Sequence, residues 1–118
     1  MKRILVVDDE ENIRVLYREE LEDEGYAADV AANGQEALDK LNAFHPDIII
    51  LDIKMPGMDG VETLRRIREI QRDLPVILCS AYGEYKQDLT TRAYDAYVIK
   101  RSDLTELKDT IKILLSRD

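Results

Sequence analysis

The sequence predicts an α/β domain, a doubly wound parallel sheet of five strands covered by five helices. Three observations carry that prediction. Residues 4–7, 48–51 and 76–79 are short runs of uniformly apolar side chains, the pattern of strands buried on both faces. Segments with apolar residues at helical spacing separate these runs, so strands alternate with helices and demand cover on both sides of the sheet. No long linker, internal repeat or low-complexity segment interrupts the alternation, and right-handed crossovers leave few arrangements, of which strand order 2-1-3-4-5 is the reading adopted.

Each element has its own justification. The first strand, residues 4–7, ends in Asp8, Asp9 and Glu10. A helix follows in which Ile13, Leu16, Tyr17 and Leu21 form the inner face, with Gly25 as its stop. Residues 26–31 (YAADVA) are smaller-sided and suit an edge strand. Asn33 and Gly34 turn the chain into a second helix with Ala37, Leu38 and Leu41 inside. His45, Pro46 and Asp47 form a loop into the central strand, IIILD, which stops at Asp52 ahead of the turn residues Pro56 and Gly57. Val61, Leu64 and Ile67 mark a third helix, with Arg65, Arg66, Arg68 and Arg72 biased toward its C-terminal end, where the helix dipole favours cations. Pro75 opens the fourth strand, VILCS, ending at Ser80. Residues 85–94 form a polar fourth helix, anchored by little beyond Leu89 and Ala93. Tyr97, Val98 and Ile99 make a fifth strand ending in Lys100. Ser102 or Asp103 caps the last helix, whose seam is Leu104, Leu107, Ile111 and Leu114.

With 118 residues the chain is one domain, 1–118, able to bury roughly two thirds of its unfolded surface without cross-links. A formal charge of −8 argues against direct contact with nucleic acid or an anionic membrane, both of which attract basic surfaces. No apolar run approaches the ~20 residues of a membrane span, and Met1-Lys2-Arg3 leads into a strand instead of a signal peptide's apolar region. The single cysteine, Cys79, cannot form an internal disulfide and reads as a small buried hydrophobe. The expected location is the cytoplasm.

The chemistry gathers at one sheet edge. Strand ends carry Asp8 and Asp9, Asp52, Ser80 and Lys100, and the strand order makes them neighbours; ligands of open α/β sheets collect at these carboxyl ends. Carboxylates ~4 Å apart repel by about 4 kcal/mol per pair at an effective dielectric of 20, so either one is protonated or a cation sits among them. An all-oxygen donor set with no His or Cys fits magnesium and argues against zinc. Lys100 supplies a point charge and Ser80 a hydroxyl for a phosphoryl group, and a carboxylate beside a metal and a lysine can attack phosphorus. Taken singly, Asp8 and Asp9 also fit a helix cap, Ser80 a turn residue and Lys100 a solvated lysine. Asp52 resists such a reading, because a charge placed after four apolar residues must reach an edge or a partner.

The segments ILVVDDEENIR, DIIILDIKMPGMDGVETLRRIR, PVILCSAYGE and YVIK closely resemble the receiver (CheY-like) domain of bacterial two-component response regulators, over the whole chain. The resemblance implies a flavodoxin-like fold and a phosphorylation-controlled signalling function, not an enzyme acting on a separate substrate. It implies that Asp52 accepts a phosphoryl group from the phosphohistidine of a sensor histidine kinase or phosphotransfer protein. Asp9, Asp52 and the backbone carbonyl of Lys54 would hold Mg2+, with Asp8 acting through water. Lys100 would contact the phosphoryl group, Ser80 would swing toward it and Tyr97 would follow. The surface of the fourth helix, fifth strand and fifth helix would then switch, controlling an output domain or protein target. Three departures from the family pattern stand out: Arg101 replaces the usual Pro, Ala93-Tyr94 the frequent Gly-Ala, and Ala96 an acid.

Other readings remain open. A phosphate-ester hydrolase using Asp52 would have a second acid two residues on, where this chain has Lys54. A pseudo-receiver would bind partners without being phosphorylated, a reading prompted by Arg101. A flavin site fares worst, since an acidic first loop repels the phosphate. His45 reads as a surface residue and not a phosphoryl relay. Whether the chain is free-standing or part of a longer regulator stays open.

Overall fold

The computed structural model describes residues 1–55, 57–81, 94–100 and 103–116. The strands are β1 (Arg3–Val7), β2 (Ala27–Ala31), β3 (Ile48–Asp52), β4 (Val76–Ser80) and β5 (Ala96–Ile99). The helices among the described residues are α1 (Glu11–Asp23), α2 (Gly34–Phe44), α3 (Gly60–Ile70) and α4 (Thr105–Leu115). All strand pairs are parallel and the order is β2-β1-β3-β4-β5, as expected. The expected helix over 85–94 lies outside the described residues except for Tyr94, as do Ala93, Arg101 and Ser102.

The two-residue period of the strands splits the core. Ile4 and Val6, Ile48 and Ile50, and Ile77 and Cys79 point to one face, where Tyr17, Leu21, Leu107, Ile111 and Leu114 cover them. Leu5 and Val7, Ile49 and Leu51, and Val76 and Leu78 point to the other, under Ala37, Leu41, Leu64 and Ile67. Every residue of β3 and β4 is buried, which explains their lack of apolar–polar alternation.

Local signals set the helix ends. Asn33 caps α2 by accepting the Glu36 N–H at 2.9 Å, while Glu36 reaches back past the cap to accept the Ala32 N–H at 3.0 Å. Asp59 caps α3 through the Glu62 N–H at 2.9 Å. Gly25 ends α1 with φ of 93°, a backbone angle side chains disfavour. Arg65 and Arg66 pair with Glu62 and Glu69 along α3, whereas Arg68 donates to the Leu74 carbonyl and to Asp95, tying α3 to the entries of β4 and β5.

Some details differ from expectation. Leu16 is 39 % exposed, because the buried stripe of α1 runs through Tyr17 and Leu21. Arg72 lies beyond the end of α3. Leu104 packs in the core but precedes α4, and Asp103 acts one residue earlier than a helix cap, accepting from the Thr105 N–H at 2.9 Å and its hydroxyl at 2.6 Å. Thr63, absent from the expected core, is fully buried with its hydroxyl donated to the Asp59 carbonyl at 2.7 Å.

On the edge strand β2, Val30 donates its N–H to Asp29 Oδ1 at 2.8 Å, and its carbonyl accepts from Lys40, which also pairs with Asp29 at 3.0 Å. The N–H of Ala27 and the carbonyl of Ala31 bond toward β1, so the alternate residue Val30 faces away from the sheet.

Candidate functional site

Strand parity builds the site. Asp8 continues the row of Ile4 and Val6, Asp52 that of Ile48 and Ile50, and Lys100 that of Val98. Val7 lies beside Leu51, and Asp52 beside Cys79, which is itself beside Val98. Asp8, Asp52 and Lys100 are thereby delivered to one face at the carboxyl edge of the sheet, from the adjacent strands β1 and β3 and from β5 across β4.

The geometry is tight. One carboxylate oxygen from each of Asp8, Asp9 and Asp52 lies within 4.8 Å of the others. Asp8 and Asp52 are buried, at 2 % and 5 % exposure, while Asp9 is exposed. Lys100 Nζ stands 2.6 Å from Asp8 Oδ2 and 3.2 Å from Asp52 Oδ1. Asp8 Oδ1 accepts the Glu10 N–H at 2.9 Å, so Asp8 also performs the turn-forming role its position allows. A cleft of about 500 Å³ opens in front, lined by Asp9, Glu10, Asp52, Lys54, Met55, Ser80, Ala81 and Lys100.

The carboxylates disturb one another. Burial first, and then the Asp8 charge, push the Asp52 carboxyl up to about 6, against the pull of Lys100. Burial also opposes the Lys100 charge, but its hydrogen bond to Asp8 and the two carboxylates outweigh it and hold Lys100 above the ordinary lysine value. Beneath the site, burial pushes the Cys79 thiol up to about 12, the state of an unreactive core residue. The Tyr17 hydroxyl hydrogen-bonds with that thiol and is likewise raised, mainly by burial.

Of the residues singled out from sequence, Asp8, Asp9, Asp52, Lys54, Ser80 and Lys100 meet at this cleft or its floor. Tyr97 is half-buried on β5, its ring edge-to-face with that of Tyr94 at 6.3 Å. His45 ends α2 in an exposed left-handed conformation, ahead of β3 and so at the opposite sheet edge. Two contributors were missed. Met55, buried and lining the cleft, carries no pattern that marks a loop methionine. Gly60 has no side chain for a sequence pattern to mark, yet a Cβ there would lie 2.3 Å from the Asp52 carbonyl oxygen.

Residues 4–112 match the family model described as the response regulator receiver domain. The chain belongs to the response regulator receiver family. Sporulation initiation phosphotransferase F of Bacillus subtilis is 40 % identical over 113 residues, covering 94 % of this receiver and 91 % of that protein. Transcriptional regulatory protein ResD of the same organism is 43 % identical over 117 residues, but the receiver spans only 48 % of its length. Among solved structures, response regulator TrrA of Thermotoga maritima, in complex with Mg2+–BeF, is 51 % identical with a TM-score of 0.91, covering 97 % of this chain and 99 % of that one. TrrA in complex with the histidine kinase ThkA has the same identity and TM-score, with coverage of 98 % and 100 %. Among the described residues, no helix of the receiver is long and apolar enough to cross a membrane.

Proposed function

We propose that Asp52 is the phosphoacceptor of this receiver. One observation carries the reading: a buried carboxylate stands within reach of a lysine and two further carboxylates, in a cleft open to a donor. An Asp52 oxygen attacks phosphorus, the bond from phosphorus to the donor's imidazole nitrogen breaks, and that nitrogen keeps the electron pair. Lys100, released from part of its pairing with Asp52, holds the transferred phosphoryl oxygens. The Ser80 hydroxyl lines the cleft where those oxygens arrive.

The donor set fits Mg2+, being carboxylate oxygens beside an open cleft with room for water. Asp9, Asp52 and the Lys54 carbonyl would hold the ion, with Asp8 acting through water. When bound, it offsets the negative charge gathered at phosphorus. The Mg2+–BeF complex of TrrA supports this assignment, and its complex with ThkA supports a histidine kinase as donor.

The rest of the reading follows the family. Residues 1–118 form a single cytoplasmic domain. It promotes only its own phosphorylation and dephosphorylation. Ser80 and Tyr97 relay the modified state to the surface of β5, α4 and the helix the sequence leads one to expect over 85–94, which controls an output domain or protein target. The test is intact mass spectrometry with a small phosphodonor: a Mg2+-dependent gain of one phosphoryl group, absent in Asp52→Ala. No gain in the wild type, or a gain that survives the substitution, defeats the assignment.

A further inference from the structure

Asp8 has every polar group engaged. Its N–H donates to the Ala31 carbonyl at 3.1 Å, Oδ1 accepts from Glu10, and Oδ2 pairs with Lys100. The remaining group, its main-chain carbonyl, accepts from Arg14 Nη1 at 2.9 Å. Arg14 is half-buried in the first turn of α1, a helix whose N-cap residue, Glu10, makes no side-chain cap bond. The guanidinium therefore reaches back across that turn and clamps the strand-to-helix loop.

We propose that Arg14 is a positioning residue for the acidic loop: by pinning the Asp8 carbonyl it fixes the backbone that presents the exposed Asp9 carboxylate to Asp52. The inference rests on the phosphoacceptor reading of this site. Geometry and charge make opposite demands on it. Removing a positive charge that touches the acidic loop strengthens cation binding on electrostatic grounds alone, whereas releasing the loop weakens it. The sign of the effect tells the two apart.

The experiment compares wild type, Arg14→Ala and Arg14→Lys by calorimetric titration with Mg2+, and by hydrogen exchange of the Asp9 and Glu10 amides in metal-free protein. Loss of a charge-assisted hydrogen bond predicts Mg2+ binding about tenfold weaker in Arg14→Ala, with faster exchange at both amides. Arg14→Lys, which keeps the charge and a donor, falls between the two. Mg2+ affinity unchanged or tightened in Arg14→Ala, or exchange at wild-type rates, overturns the proposal. A wild type that neither binds Mg2+ nor gains a phosphoryl group defeats the phosphoacceptor reading instead, and the metal-free exchange rates still decide whether Arg14 holds the loop.

Discussion

Replacing Asp52 with Asn removes the proposed acceptor and stabilises the fold. The folded-state pKa of about 6 lies above the ordinary 3.8, so between those values the native state binds a proton that the unfolded chain does not. Stability from this group is therefore lost as pH rises, and the loss is complete above about pH 6. A displacement of roughly two units at 1.36 kcal/mol each makes the cost of the ionised form about 3 kcal/mol. Asn mimics the protonated carboxyl and escapes that cost. In EDTA, urea unfolding should find Asp52→Asn more stable than wild type by about 3 kcal/mol at pH 7.5, and by about half of that at pH 5. Millimolar Mg2+ should narrow the gap by binding the native wild type. An Asn variant equal to or weaker than wild type at both pH values refutes the view that crowded charge is stored at Asp52.

Three further outcomes follow from the same contacts. Lys100→Met leaves Asp8 and Asp52 facing each other without their shared cation; it should destabilise by about 3 kcal/mol and drive the Asp52 carboxyl above 6, read by carbon NMR titration, and adding Asp52→Asn should recover most of the loss. Gly60→Ala places a methyl 2.3 Å from the Asp52 carbonyl oxygen and 2.6 Å from Ile53 Cα, so the loop must shift; about 3 kcal/mol of stability should go in denaturant melts, together with most of the phosphoryl uptake. Tyr94→Ala removes the edge-to-face partner of Tyr97 and should cost about 1 kcal/mol beyond the loss of buried area, checked by a double-mutant cycle with Tyr97→Ala.

The sheet and its order were legible because uniformly apolar runs admit few environments, and the polar residues ending them had to face one edge. Asp52 was the clearest case: four buried neighbours upstream leave its charge nowhere else to go. What escaped depends on three-dimensional approach. Thr63 is buried because its hydroxyl finds a helical carbonyl, which composition does not reveal. Leu16 and Tyr17 are adjacent in a helix, and only the packing of α1 in the core, where the Tyr17 hydroxyl meets the Cys79 thiol, decides that the tyrosine turns inward. Gly60 and Arg14 act on main-chain oxygens, which leave no trace in a side-chain pattern.

The side-chain clip on β2 has a consequence of its own. A five-stranded open sheet has two rims along which further strands can add, and parallel rims with small side chains are inviting templates. Because Asp29 and Lys40 already occupy the outward donor and acceptor of Val30, a strand arriving from another molecule meets a spent register near the carboxyl end of this rim. Strand addition along β2 would have to break those bonds at Val30 before its own could form.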